Sequence, residues 1–187
     1  MQPREMIDFL RILSKLKINT RHVRTSQDRE ESVAEHSWRL AVMALLVADE
    51  FPGVDADKVV KMCLIHDFGE AITGDIPSFL KTKQDEEKED SAVADMLLLL
   101  PEKIACEFRE LFLEMTDQKT LEAKLFKALD KLEALLSHNE SALDTWLPNE
   151  YSLNLTYGIE NMQFSDYLKM LREEIRVDTE QKIKEGT

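Results

Sequence analysis

The sequence predicts an all-α protein, on three observations: few chain breakers, many helix formers, and apolar residues that recur at helical spacing along most of the chain. Only 5 Gly and 5 Pro occur among 187 residues, while Leu, Ala, Glu, Lys and Met are abundant, a mix that favours helices over turn-rich sheets. The length suits one substantial core, and no low-complexity hinge divides it. Residues 1–187 therefore read as a single helical domain, with a core at about 32–137 and a C-terminal helical extension at about 138–187.

Met6, Phe9, Leu10, Leu13 and Leu16 are spaced for an opening helix over residues 4–17 with one buried stripe. The pattern then stops. Residues 18–31 are polar and aperiodic, hold Arg21, His22, Arg24 and Arg29, and read as a connecting loop able to carry function. Ser32 and Glu35 have capping-box spacing and start the next helix, in which His36 heads a stripe of Leu40, Met43, Ala44, Val47 and Phe51. Pro52-Gly53 ends that segment. Asp55 caps a third helix, on which Val59, Cys63, His66, Asp67 and Glu70 lie close to one face. A loop, Gly74-Asp75-Ile76-Pro77-Ser78, follows and can fold Asp75 back over that face.

The charge run at 85–90 reads as a solvated face without a functional role, leading into an apolar helix through Leu100. Pro101 suits the first turn of the next helix, with Ile104, Phe108, Leu111 and Met115 as its stripe. After a break at 116–120, a long helix from Leu121 to about Trp146 carries Leu125, Leu129, Leu132 and Leu136. Asp130 lies one residue off that stripe, and periodicity leaves its orientation open. The stretch Tyr151 to Tyr157 alternates at period two, but a lone strand has no partner, so it reads as irregular. Phe164, Tyr167, Leu168, Leu171 and Ile175 mark a last helix over about 160–184.

A formal net charge of −13 makes the average surface repel phosphate backbones and anionic lipid, so duplex nucleic acid and membrane are not expected partners. A small phosphorylated ligand stays open, because a bound cation reverses the local field. Cys63 and Cys106 are too few for a disulfide framework and read as reduced core residues. The N-terminus lacks a basic segment followed by an apolar one, and no apolar run approaches the roughly 18 residues of a membrane span. A soluble, cytoplasmic protein is the expectation.

His66 and Asp67 interrupt an apolar run, and a buried imidazole beside a buried carboxylate is costly unless something binds both. A divalent cation is the natural partner. With His36 and Asp130 the ligand set becomes two imidazoles and two carboxylates, suited to manganese, iron, cobalt, zinc or magnesium and poorly to calcium. Coordination positions left open allow water to be acidified and a phosphoryl oxygen to be polarised.

The ordered set His36, His66-Asp67 and Asp130 resembles the HD superfamily of metal-dependent phosphohydrolases, and is most similar to the bacterial HD-domain 5′-nucleotidases (YfbR-like) and related HD-domain-containing proteins. The likeness runs from Leu16 to about residue 137. It is carried by Glu31 to Ser37, His66 to Ala71, Gly74 to Pro77 and Ala128 to Lys131. The resemblance implies one divalent ion on His36, His66, Asp67 and Asp130, and a catalytic acidic pair at Glu70 and Asp75. One of the pair activates water and the other assists departure of the sugar oxygen, with the division between them open. In register with a family Arg-Trp pair stand Arg21 and His22, which implies that Arg21 holds the phosphate and His22 replaces the indole at the nucleoside.

Glu70 is followed by Ala71 rather than the Asp of stringent-response hydrolases, and no histidine lies between Asp67 and Asp130, unlike binuclear members. The implied activity is removal of phosphate from nucleoside or deoxynucleoside 5′-monophosphates, by a chain that the likeness pairs as a homodimer. Two alternatives stay open: a catalytically silent nucleotide-binding HD domain, prompted by His22, and an HD hydrolase of nucleoside triphosphates. Arg24 and Arg29 are candidate helpers, whereas His138, Trp38 and Trp146 read as structural.

Overall fold

In the computed structural model, which describes residues 1–186, local capping chemistry sets most helix starts. Helix α1 (Pro3–Leu13) opens with Pro3 in its first turn and runs into a 3-10 turn, Ser14–Lys17. Strands β1 (Thr20–Arg24) and β2 (Glu30–Ser32) follow, and then α2 (Val33–Leu46). At its start, Glu35 N–H donates to Ser32 Oγ at 3.3 Å while the Glu35 carboxylate accepts from Ser32 N at 2.9 Å, the expected capping box. Asp55 caps α3 (Ala56–Ile65) by accepting from Lys58 N at 3.0 Å. A single turn, α4 (Glu70–Thr73), precedes α5 (Lys83–Leu97) and α6 (Glu102–Asp117). Thr120 then caps α7 (Leu121–Glu140), and α8 (Glu150–Thr156) and α9 (Asp166–Gly186) complete the described residues.

Helix α7 is the axis of the fold. Ala123, Leu125, Phe126, Ala128, Leu129, Leu132 and Leu135 are buried, because α2, α3, α6, α9 and β1 all pack on it. A helix covered on so many sides carries a continuous core instead of one stripe. Leu40, Val59, Met62, Cys63 and Leu168 close around it from the neighbouring helices.

Several local expectations need correction. The polar segment 18–31 forms an antiparallel hairpin, with Thr20 opposite Ser32 and Arg24 opposite Glu30. Its turn is held by Thr25 N donating to Arg29 O at 2.7 Å and by Asp28 at φ 61°, and such short polar strands leave no alternation to read. The opening stripe is only partly covered: Phe9 and Leu16 are buried, but Met6 and Leu10 are exposed, since α1 touches the body chiefly at α4. Cys106 lies on the surface, and α5 ends at Leu97, short of Leu100. The helix through Asp130 stops at Glu140 because Ser141 is extended (φ −75°, ψ 155°). Residues 151–157 belong mostly to α8, whose buried pair is Glu150 and Asn154, spaced i and i+4, and not the alternating apolar set.

The third helix does not run through to Glu70. It ends at Ile65 with His66 as its cap, and Glu70 begins α4 after an intervening turn. Gly69 sits where that turn meets α5: a Cβ there would lie 2.5 Å from Glu89 Cγ and 2.9 Å from the Glu89 carbonyl oxygen. Gly69→Ala is expected to push α4 off α5 and lower stability by about 1–3 kcal/mol, measurable by urea unfolding. Among the described residues, no helix is long and apolar enough to cross a membrane.

Candidate active site

The end of α3, the turn after it, the first turn of α2 and the middle of α7 meet at one point. His36 Nε2 lies 3.3 Å from His66 Nε2, 3.8 Å from Asp67 Oδ2 and 3.4 Å from Asp130 Oδ1. His66 Nε2 lies 3.0 Å from Asp67 Oδ2 and 3.9 Å from Asp130 Oδ1. The off-stripe position of Asp130 thus aims at this cluster, with its second oxygen paired to Lys127 at 2.9 Å.

The donor set tests whether a cation fits. His66 Nδ1 donates to the Cys63 carbonyl at 2.9 Å, and His36 Nδ1 donates to Glu133. In two neutral rings so held, both Nε2 atoms are bare lone pairs turned toward each other and toward two carboxylates. That arrangement is repulsive unless positive charge lies between them. Burial and Arg21 push the His36 pKa down, yet Glu133 and Asp130 more than offset them and lift it to about 9, so the cluster draws in a proton or a metal ion. Two imidazoles and two carboxylates at these separations fit a divalent ion with positions left for water.

Glu133 lies behind this cluster and is fully buried. Besides His36 it accepts from Arg21 Nη1 at 3.0 Å, Arg39 Nε at 2.7 Å and Ser137 Oγ at 3.0 Å. Arg21 Nη1 also donates to Glu31 at 2.7 Å. Burial alone would raise Glu133, but His36, Arg21 and Arg39 hold it well below the usual carboxylate range. Sequence reasoning missed this residue. The available signal was its spacing, one turn beyond Asp130, as Arg39 is one turn beyond His36.

A cavity of about 670 Å³ opens over the cluster, lined by His36, His66, Asp67 and Asp130 together with Glu70, Asp75, Arg21 and His22. The eight residues proposed from the sequence as metal, catalytic and substrate groups therefore border one space. Glu70 is buried, its Oε2 lacks a hydrogen-bond partner, and its backbone carbonyl accepts from Asn19 Nδ2 at 2.5 Å. Burial, reinforced by Asp67, Asp75 and Glu89, pushes its carboxyl up to about 10. Burial also raises Asp75, against the pull of Arg21. His22 is exposed, with Nε2 3.5 Å from Glu150 Oε1 and its ring edge-on to Phe79.

The 85–90 run is not wholly solvated: Glu86, Glu89 and Asp90 reach the cavity wall, and Glu89 pairs with Lys81. One carboxylate oxygen from each of Asp67, Glu70 and Glu89 lies within 4.8 Å of the others. Lys81, Lys127 and Lys131 also line the cavity, the first two paired with Glu89 and Asp130, so the wall stays acidic and a bound cation would supply the positive charge that a phosphate needs. Arg24 and Arg29 point elsewhere, to Asp28 and Glu35.

Comparison with known proteins places the chain in a family. The HD-domain family matches residues 13–172. The 5′-deoxynucleotidase HDDC2 of Homo sapiens is 36% identical over 141 residues, 73% of this chain and 68% of that protein, and the Dictyostelium discoideum 5′-deoxynucleotidase HDDC2 is 32% identical over 72% and 76%. A crystal structure of a "predicted metal-dependent phosphohydrolase" from Magnetospirillum magnetotacticum MS-1 superposes with a TM-score of 0.81 at 29% identity, covering 98% of this chain and 93% of that one. The cyanophage S-2L HD phosphohydrolase bound to dA and one catalytic zinc ion shares the fold, with a TM-score of 0.56 at 21% identity over 99% and 98%. The chain belongs to the HD-domain family of metal-dependent phosphohydrolases. The all-α class and the phosphohydrolase class read from the sequence are both met, and a divalent metal follows from the family.

Proposed function

We propose that this protein is a metal-dependent 5′-nucleotidase that removes phosphate from nucleoside or deoxynucleoside 5′-monophosphates. The observation that carries the reading is the pair of Nε2 lone pairs facing each other at 3.3 Å between Asp67 and Asp130, on the floor of a cavity large enough for a nucleotide. The relatives named 5′-deoxynucleotidase support the substrate class.

His36, His66, Asp67 and Asp130 would hold the ion, and two imidazoles favour manganese, cobalt, iron or zinc over magnesium. When bound, such an ion polarises a phosphoryl oxygen and acidifies water. Arg21, fixed by Glu31 and Glu133 through Nη1, presents its remaining donors to the phosphate. Glu70 and Asp75 handle the protons: as the P–O bond to water forms and the P–O5′ bond breaks, the member that starts as a carboxylate takes the water's proton and the member that starts as a carboxylic acid gives its own to the departing 5′ oxygen. The cytoplasmic setting and the homodimer belong to this proposal, on family likeness, as does the absence of duplex nucleic acid, on the charge of −13.

Phosphate release from a panel of 5′-monophosphates with manganese, cobalt or magnesium tests it. Release is expected from at least one nucleotide; none with any metal sinks the reading, and tight nucleotide binding without turnover would point to a silent binding domain instead. Glu70→Gln should cut turnover at least about a hundredfold while metal stays bound, because glutamine keeps the shape of the protonated acid but moves no proton.

A further inference from the structure

Among the described residues, five buried side-chain polar atoms have no hydrogen-bond partner: Glu70 Oε2, His138 Nδ1, Glu150 Oε1, Asn154 Nδ2 and Arg172 Nη1. Glu70 belongs to the acidic pair already described. Three of the others, on His138, Glu150 and Asn154, come from residues that border the same cavity, with Glu150 near both His22 and His138. Native proteins leave few such atoms, and three on residues of one cavity mark a polar region able to take a ligand.

Glu150 is 1% exposed and Asn154 2%. The two carboxylate oxygens of Glu150 have different duties. Its Oε2 accepts from Leu147 N at 2.6 Å and fixes the start of α8. Its Oε1 lies 3.5 Å from His22 Nε2 and 3.6 Å from His138 Nε2, beyond hydrogen-bond reach of either. His138 is itself held in place, with Trp146 edge-on to its ring at 5.7 Å and donating to its carbonyl at 3.2 Å. Burial keeps that imidazole neutral by driving its pKa down to about 4. Asn154, one helical turn on from Glu150, offers an amide donor from the same face of α8.

We propose that Glu150 and Asn154, flanked by His22 and His138, form a base-reading subsite of the cavity, with Glu150 Oε1 accepting from an N–H of the nucleobase and Asn154 Nδ2 donating to the acceptor beside it. This rests on the nucleotidase reading for the orientation of the ligand, phosphate at the metal cluster and base away from it. A carboxylate is an acceptor and an amide NH₂ a donor, and the pairing edge of a base carries a donor next to an acceptor. Along α7, His138 follows the proposed metal ligand Asp130 by two turns, about 12 Å of axial rise, so this group of residues lies beyond the metal cluster, and a ligand without its base separates base contacts from sugar contacts.

Calorimetric titration of the Glu70→Gln chain, loaded with manganese, reads binding without turnover. The probes are the four deoxynucleoside 5′-monophosphates, 2-deoxyribose 5-phosphate, which lacks only the base, and inorganic phosphate. Nucleotides are expected to bind at least about tenfold tighter than deoxyribose 5-phosphate. Adding Glu150→Gln or Asn154→Ala should weaken nucleotides by about ten- to a hundredfold and leave deoxyribose 5-phosphate within about twofold. Equal weakening of both ligands would make these residues structural or sugar-binding and overturn the subsite, as would no weakening at all. If Glu150→Gln melts before titration, the comparison of nucleotide with deoxyribose 5-phosphate in the chain with Glu150 intact still decides, and equal affinity there overturns it. Failure of the parent chain to release phosphate defeats the nucleotidase reading separately and leaves this binding series interpretable.

Discussion

Asp67→Asn is expected to leave a folded chain that no longer retains its cation and hydrolyses nucleotides at least about a thousandfold more slowly, the loss of several kcal/mol of Lewis-acid stabilisation. Asp67 is singled out from the four proposed ligands by its surroundings. It lies 3.0 Å from His66 Nε2 and 3.8 Å from His36 Nε2. Asp130, by contrast, already shares its charge with Lys127. Burial would raise the Asp67 carboxyl, but the two imidazoles keep it below its ordinary value, so it meets an incoming ion as an anion. The amide in its place keeps the volume and removes the charge. Elemental analysis after dialysis should show about one metal per chain in the parent and a small fraction of that in the variant. Chelation of the parent should reproduce the loss, and restoring the ion should rescue the parent alone. A variant that keeps both its metal and its turnover would remove Asp67 from the site.

Most of what positions this site could be read before any coordinates, because it rests on short-range chemistry. The capping box at Ser32 and Glu35 fixes where α2 begins, and His36 in its first turn then faces inward. His66 and Asp67 stand out as ionisable residues in an apolar run. What stayed hidden depends on contacts between distant segments. No local pattern shows that 18–31 folds back as a hairpin, because its two strands are stabilised mainly by pairing with each other. The alternation of Tyr151, Leu153, Leu155 and Tyr157 is real, yet α8 is tied down by distant and capping contacts, Leu147 N donating to Glu150 Oε2 at 2.6 Å and Arg172 Nη2 donating to the Asn154 carbonyl at 2.9 Å. Glu133, buried and shared by two arginines and a histidine, looked like one more glutamate on a helix rich in them. Its partners Arg21 and Arg39 lie 112 and 94 residues away. The same distance hides why Glu89 matters, since only the close approach at Gly69 brings α5 to the acidic pair.

Removing Glu133 should have the largest effect on stability, and it separates the scaffold from the chemistry. Two guanidiniums, Arg21 and Arg39, are balanced by Glu31 and Glu133 in a region where Glu133 is fully buried. Glu133→Ala strips one partner from that arrangement and leaves Glu31 as the carboxylate still in direct contact with Arg21. Breaking a buried pair in this way costs about 3–5 kcal/mol, readable by denaturant unfolding of the metal-free protein at neutral pH. It also frees the His36 ring, whose Nδ1 proton Glu133 fixes, and second partners of this kind are worth roughly ten- to a hundredfold in metal affinity. The double variant Glu133→Leu with Arg39→Met should recover part of the lost stability, because an apolar pair replaces an orphaned charge. It should not recover the metal affinity, since nothing then orients His36. If Glu133→Ala lost less than about 1 kcal/mol, or bound metal as well as the parent, the network would be an ordinary surface-grade ion pair, and the control of His36 by Glu133 would have to be abandoned.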